Sequence, residues 1–226
     1  MTEPIAIIIP TKDRLKNMKR CLANLEQVNY PKIEIVVICD GDEKAFKALY
    51  GWVGVVTNAV YKCYLTNHQE LVKATRYGIE HCDSEFIVYY NDDMMMDKDC
   101  LSIAMREWEE RFNGGEGLIG FDDGINKFIG AVGLTNKKTI KKFDAWNPIY
   151  IHFWADTELG VRTRNAGCFY WSHDAKIDHL HPLVNKASWD RTYENSHKHL
   201  PIDTIHFIAR NGVWTHRSRE QLEHEA

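Results

Sequence analysis

The sequence lacks a long apolar segment and a recognisable leader. No apolar run among its 226 residues approaches the roughly 20 residues that a membrane-spanning helix needs. Residues 1–4 have neither the basic start nor the separate apolar region of a secretory signal peptide. These absences predict a protein without an integral membrane segment, and we expect it in the cytoplasm.

Other absences narrow the chemistry. The six cysteines are scattered without a C-x-x-C pair, and several lie in apolar stretches, so buried thiols are expected rather than disulfides. Neither G-x-G-x-x-G nor G-x-x-x-x-G-K-[ST] is present, which argues against dinucleotide and P-loop phosphate binding. The net charge of −4 gives no general attraction to nucleic acid or anionic membranes. Partners must therefore be inferred from a site.

What the sequence does contain is alternating strand and helix patterns. The apolar run 5–9, helically spaced apolar residues from Leu15 to Leu25, and the β-branched run 33–39 form a βαβ unit, which predicts a parallel sheet. Asp97 is predicted to cap a helix that carries Trp108 on its apolar face. The other predicted elements are strands at 53–56, 85–90, 118–121 and 127–134 and helices at 68–81, 136–142 and 156–165. The fold class is α/β, a mostly parallel sheet flanked by helices.

The chain changes character after Pro182, where polar residues, histidines and aromatic residues follow one another. No repeat or flexible linker separates this part from the rest. We therefore predict one domain over residues 1–182 and a C-terminal arm, helical or irregular, over residues 183–226. The arm is expected to pack on the same domain, on its acceptor side or as a lid.

Polar turns follow three of the predicted strands, at residues 11–14, 40–42 and 91–93. Ligands of open parallel sheets bind beyond the carboxyl ends of the strands, so these turns predict one shared site. Carboxylates there can hold Mg²⁺ or Mn²⁺, and the cation can hold a diphosphate. Asp93, with Asn91 or Asp92 beside it, has the chemistry for this role.

Several motifs, in order along the chain, carry a resemblance to a known family. They are Ile7-Ile8-Ile9-Pro10-Thr11-Lys12-Asp13-Arg14, Glu34 to Asp42, Asn91-Asp92-Asp93, Asp156 to Arg162, Arg164 to Gly167, and His179. In this order they resemble inverting family-two-type glycosyltransferases, with the "I-P-T-x-x-R" turn, the second-strand "D-D-G-S" end, the DXD-type motif and the "E-D-x-D-L-x-x-R" segment. The sequence departs from that pattern where Cys39, Asn91, Ala155 and Arg76 replace two aspartates, a glutamate and an asparagine, respectively.

The resemblance implies a GT-A-type, Rossmann-like fold and a nucleotide-diphospho-sugar donor. It also implies a Mn²⁺ or Mg²⁺ cofactor held by Asp93 and His179, with His181 as a substitute for the histidine. Asp156 would be the general base of an inverting transfer to a hydroxyl, and Glu158 is the competing base. The residues that the resemblance assigns to nucleotide-sugar binding are Pro10, Thr11, Arg14, Asp40, Arg76, Asn91 and Asp92, and Trp154 is a candidate wall of the same site.

Two other functions remain open on the sequence. Basic residues among the aromatic residues of the arm are compatible with a non-catalytic module that binds sugar nucleotides or nucleic acid. A nucleotidyltransferase would share the sheet and the metal, although the turn at residues 11–14 lacks the glycines typical of that class. The acceptor of a transferase could be a glycan, a small molecule, or a macromolecule including modified nucleic acid.

Overall fold

The computed structural model of the protein describes residues 3–51, 59–125 and 129–212. Within them, eight strands form one sheet in the order β3-β2-β1-β4-β7-β6-β8-β5. The strands are β1 (Ile5–Thr11), β2 (Ile33–Asp40), β3 (Ala59–Thr66), β4 (Phe86–Tyr89), β5 (Met94–Met96), β6 (Leu118–Asp122), β7 (Gly133–Asn136) and β8 (Phe169–His179).

The sheet is mixed, with a parallel half that contains the predicted βαβ unit. Strands β3, β2, β1 and β4 run parallel to one another. Strand β7 is antiparallel to both β4 and β6, β8 is parallel to β6, and β5 is antiparallel to β8. The carboxyl ends of β1, β2 and β4 therefore lie at one edge, as the sequence predicts.

Helices cover both faces of the sheet. They are α1 (Leu15–Leu25), α2 (Glu43–Leu49), α3 (Glu70–His81), α4 (Cys100–Phe112), α5 (Lys137–Lys142), α6 (Ala155–Asn165), α7 (Arg191–Ser196) and α8 (Leu200–Asn211). The predicted arm is thus helical over α7 and α8, and its residues beyond 212 lie outside the described residues. No described helix is long and apolar enough to cross a membrane.

The two faces of β1 explain its continuous apolar sequence. Ile5, Ile7 and Ile9 contact one core cluster, together with α1 and α4, whereas Ala6 and Ile8 contact the other, together with α3 and α6. Successive side chains of a strand point to opposite faces, so a strand buried on both sides has no polar position.

Close packing fixes α3 against the sheet. A Cβ atom at Gly78 would lie 2.5 Å from Ile8 Cγ2 and 2.6 Å from Ile38 Cδ1. Only glycine permits this approach, which sets the position of the helix start at the cavity edge.

Several predicted elements need correction. The predicted strand at 53–56 lies outside the described residues and stays a prediction. The described strand at the edge of the sheet next to β2 is β3, at residues 59–66, where no strand was predicted. Asp97 does not cap α4, because Asp99 occupies the N-cap position and makes no side-chain capping bond. Asn136 is the last residue of β7 and the N-cap of α5, accepting from the Thr139 N–H. The predicted strand at 127–134 starts at residues that are not described, and its described counterpart is β7.

Candidate active site

A cavity of about 920 Å³ opens at the carboxyl ends of the parallel strands. The polar turns after β1, β2 and β4 line it, together with parts of α6, β8 and the arm. The predicted site residues that line this cavity are Pro10, Thr11, Arg14, Asp40, Asn91, Asp92, Asp93, Trp154, Asp156 and His179. The polar turns predicted to share a site are therefore brought together.

Asp92 is buried at the centre of the cavity. Its carboxylate accepts hydrogen bonds from the Thr11 hydroxyl at 2.7 Å and from Arg14 Nη1 at 2.9 Å. Burial raises the pKa of Asp92 to about 7, Arg14 opposes the shift, and Asp93 adds to it. The two adjacent carboxylates thus lie together in one buried region, where Arg14 contacts both.

Asp93 is held by groups from distant parts of the chain. The Tyr193 hydroxyl donates to Oδ2 at 2.6 Å, and Arg14 Nη1 lies 3.5 Å from the same atom. His179 Nε2 lies 3.5 Å from Oδ1. Burial alone would raise the pKa of Asp93, but these partners, His179 foremost, outweigh it and hold the pKa below its ordinary value.

His179 lies between two carboxylates. Its Nδ1 is 3.2 Å from Asp123 Oδ2, and its Nε2 faces Asp93. Burial disfavours the charged ring, yet the two carboxylates raise the pKa of His179 to about 9. The ring is therefore a cation at neutral pH, and it must lose a proton before it can bind a metal.

The residues around Asp93 form an incomplete set of ligands for a divalent cation. Across the described ranges, no group of three or more His, Cys, Asp or Glu residues is arranged to hold a metal ion. However, Asp93 Oδ1 is buried, and its contact with His179 Nε2 is long, at 3.5 Å, so this oxygen makes no hydrogen bond within the described part of the chain. Mg²⁺ and related cations often use one or two carboxylates and take their other ligands from substrate phosphates and water. Asp93 and His179 fit such a partial ligand set.

Asp156 lies in the first turn of α6, two residues after Trp154, whose φ of 72° is left-handed. One Asp156 oxygen accepts from the Thr157 backbone N–H at 2.7 Å. Burial raises the pKa of Asp156 to about 6, although the bonds from Thr157 oppose the shift. A carboxylate with a pKa near neutrality that lines the cavity has the properties of a general base.

Glu158, the competing base, lies in a different environment. It is fully buried and does not line the cavity. Arg162 Nη2 lies 2.9 Å from Oε1 and Arg210 Nε donates to the same atom at 2.8 Å. Tyr150 and Asn211 also donate to Oε1. The carboxylate of Glu158 therefore joins α6 to α8 instead of facing a substrate.

Asp40 lines the cavity, but its carboxylate is fully used inside the protein. It accepts from Thr66 Oγ1 and the Gln69 N–H through Oδ1, and it contacts His68 Nδ1 and the Glu70 N–H through Oδ2. Four contacts match the four lone-pair positions of a carboxylate. Asp40 therefore positions the start of α3, and its side chain has no capacity left for a nucleotide.

Arg76 lies away from the cavity. It is on the outer side of α3, where its Nε donates to Glu80 Oε1 at 2.9 Å. Its assignment to nucleotide-sugar binding rests on the family position alone, and Arg76 does not line the cavity at the strand ends. We do not include Arg76 in the site.

The arm contributes site residues that the sequence did not indicate. Asp190, the N-cap of α7, accepts from Arg14 Nε at 3.1 Å, and the Arg14 guanidinium lies 4.4 Å from the centre of the Tyr193 ring. An N-cap aspartate is visible in the sequence before Arg191, but its partner lies 176 positions away. No local sequence pattern predicts a contact between residues so far apart.

Comparisons with known proteins identify the family and the fold. The model for glycosyl transferase family 2 matches residues 6–128, more than half of the chain. A comparison with curated proteins gives no match.

Solved structures share the fold. The mannosyltransferase PcManGT from Pyrobaculum calidifontis, in complex with GDP-Man and Mn²⁺, has a TM-score of 0.72 at 15% identity, over 100% of this chain and 70% of that chain. S. aureus TarS 1-349 in complex with UDP-GlcNAc has a TM-score of 0.60 at 11% identity, over 97% of this chain and 70% of that chain. The fold is thus the GT-A-type α/β fold, and the chain belongs to glycosyl transferase family 2.

Proposed function

We propose that the protein is a metal-dependent, inverting glycosyltransferase that moves a sugar from a nucleoside diphosphate to a hydroxyl acceptor. The observation that carries the proposal is that Asp156 and the buried Asp92–Asp93 turn line one cavity at the strand ends. This is the arrangement that transfer requires, with a base on one side and a diphosphate site on the other. The likeness to structures solved with GDP-Man or UDP-GlcNAc supports the donor class.

In the proposed reaction, the carboxylate of Asp156 takes the proton of the acceptor hydroxyl. The acceptor oxygen attacks the anomeric carbon as the bond from that carbon to the diphosphate oxygen breaks. The leaving group departs from the opposite face, so the configuration at the carbon inverts. The pKa of about 6 leaves Asp156 mostly deprotonated at neutral pH yet basic enough to accept a proton.

The proposed metal site uses Asp93 and His179. A bound Mn²⁺ or Mg²⁺ would offset negative charge on the leaving diphosphate. Arg14 is the protein's own cation at this point, because it already contacts both carboxylates of the turn. Its guanidinium is suited to contact phosphate oxygens when a donor is bound.

The other proposed donor contacts lie around the same turn. Thr11 and Pro10 form the floor at the end of β1, and Asn91 or Asp92 would meet the ribose or the donor sugar. Trp154 would form a wall beside Asp156, because its indole lines the cavity and its Nε1 donates to Thr204 Oγ1 at 3.0 Å. We further propose that the arm, residues 183–226, forms the acceptor side of the site or a lid over it.

A donor panel tests this proposal. Thermal stabilisation is measured with UDP-, GDP-, CDP- and dTDP-sugars, with and without Mn²⁺, on the wild type and on Asp93→Ala. We expect metal-dependent stabilisation by at least one sugar nucleotide, and we expect Asp93→Ala to abolish it. Asp97→Ala is the matched control, because Asp97 is exposed and lies outside the cavity. The donor site is ruled out if no sugar nucleotide stabilises the wild type.

A further inference from the structure

One end of the cavity is left unassigned by the proposed function, on which this inference rests. With the diphosphate at Asp93 and the anomeric carbon at Asp156, the nucleoside must extend toward β1, β2 and the start of α3. There the cavity is lined by Leu71 and Ala74, which offer apolar surface to the flat face of a base, and by Glu70. Three carboxylates line this end, those of Asp13, Asp40 and Glu70. Asp13 is exposed, which leaves Asp40 and Glu70 as the partly buried or buried carboxylates that could meet the edge of the base.

Asp40, the buried carboxylate at this end, does not compete with Glu70 for that role. Its four accepting positions are used by Thr66, His68 and the backbone of residues 69 and 70. A base could bind Asp40 only after one of these bonds broke. The residues that could recognise the base are therefore those at the start of α3, whose backbone Asp40 holds at residues 69 and 70.

The backbone of Glu70 is held in an uncommon conformation. Its φ of 70° is left-handed, which non-glycine residues seldom adopt and which persists only where surrounding contacts enforce it. The enforcing contact is the bond from the Glu70 N–H to Asp40 at 3.0 Å. Gly41 also belongs to this arrangement, because a Cβ there would lie 2.9 Å from the Cβ of His68.

The side chain of Glu70 is oriented but retains accepting capacity. Its Oε1 lies 2.8 Å from His68 Nε2 and 3.7 Å from His199 Nε2. Its Oε2 makes no hydrogen bond or ion pair with a residue in the described ranges. The side chain is 34% exposed and lines the cavity, so a ligand can reach this oxygen.

The chemistry of the bases then distinguishes the donors. Guanine presents two adjacent donors, the N1–H and the 2-amino group, which match the two oxygens of a carboxylate. Uracil and thymine present one N–H between two carbonyl oxygens, so a carboxylate can accept one hydrogen bond while its second oxygen faces a carbonyl oxygen. Adenine and cytosine present an amino group beside a ring nitrogen that accepts. The geometry points to Glu70 as the residue that selects the nucleobase, and to a guanosine diphosphate sugar as the donor.

Calorimetric binding of nucleotides with Mn²⁺ present tests this inference. The wild type is expected to bind GDP at least 10-fold more tightly than UDP, CDP or ADP. In Glu70→Gln, the amide oxygen still accepts from N1–H, but the amide N–H₂ now faces the 2-amino group of guanine. We expect GDP affinity to fall at least 10-fold and xanthosine 5′-diphosphate, which carries a carbonyl at that position, to become the preferred ligand.

A gain of xanthosine diphosphate binding cannot come from misfolding, and Glu80→Gln is the matched control on the same helix. Glu80 pairs with Arg76 outside the cavity, so its variant should keep the wild-type preferences. The inference is overturned if Glu70→Gln also keeps the wild-type nucleotide preferences, or if the wild type prefers a base other than guanine. In both cases the proposed donor site is unaffected. A wild type that binds none of the nucleotides overturns the proposed function and this inference together.

Discussion

Asp156 and Glu158 are two positions apart in α6, and the protein surrounds them differently. Residues so spaced on a helix point to different sides. Asp156 lines the cavity, whereas Glu158 is buried among Arg162, Arg210 and Asn211. This difference in surroundings favours Asp156 as the base. The sequence motif alone is compatible with either residue.

The first prediction at the residue scale concerns pH. Transfer requires deprotonated Asp156, whose pKa is raised to about 6, so the rate should fall tenfold per unit as the pH drops below that value. A pH profile of kcat/KM for the donor, which reports the pKa values of the ligand-free protein, measures this. Burial raises the pKa of Asp92 to about 7, so Asp92→Asn is the control. The rate of this variant should still fall below pH 6, because Asp156 is unchanged. A wild-type rate that stays level down to pH 5 would contradict the assignment of the base.

The second prediction concerns Glu158 and stability. Removal of a buried carboxylate leaves Arg162 and Arg210 without their shared partner, and breaking a buried ion pair typically costs about 3–5 kcal/mol. Glu158→Ala should therefore lower the free energy of unfolding by about that amount in urea denaturation. Glu110→Ala, an exposed helical site, should change it little. If Glu158→Ala is as stable as the wild type but inactive, Glu158 is a catalytic group.

At the scale of elements, α8 supports the segment that leads into α6. Asp203 of α8 is fully buried and accepts from the backbone N–H groups of residues 151, 152 and 153, at 2.8–2.9 Å. Trp154 follows directly and is bonded to Thr204. The arm therefore fixes the backbone from which Asp156 reaches the cavity.

A prediction follows for Asp203→Asn. An amide has one accepting oxygen in place of two, so at least one of the three half-buried N–H groups loses its partner, at a cost of up to about 1–3 kcal/mol. Hydrogen exchange at residues 151–153 should accelerate relative to the wild type, and turnover should decrease. Glu194→Gln, an exposed change in α7, is the control. Unchanged exchange at these amides would show that α8 does not hold the segment.

Elements differ in how well the sequence predicts them. Strands β1 and β2 and helix α1 are confirmed, because continuous apolar runs and helical spacing mark them directly. Strand β3 was missed, since it lies at the sheet edge, where Val60 is exposed and Lys62 pairs with Glu34, so its pattern is mixed. Strand β5 is only three residues long, and it pairs with β8, which is distant in the sequence, so no local pattern marks it.

At the scale of the whole molecule, the sheet order explains both the success and the limit of the sequence interpretation. Parallel neighbours end at one edge, so a common location for the turns after β1, β2 and β4 was predictable. The hydrogen bond from Tyr193 to Asp93 joins residues 100 positions apart. Contacts of this kind arise from the packing of the arm on the domain, and no local pattern encodes them.

Glycosyl transfer with inversion is the central claim, and NMR of donor turnover tests it most directly. The best-binding sugar nucleotide is incubated with the protein and Mn²⁺, with water as the acceptor. The anomeric configuration of the released sugar is read before that sugar mutarotates. We predict the configuration opposite to that of the donor, and a rate that falls by about 10²–10⁴-fold in Asp156→Asn while donor binding is unchanged. A product that keeps the donor configuration, or an Asp156→Asn variant with the wild-type rate, would contradict the account.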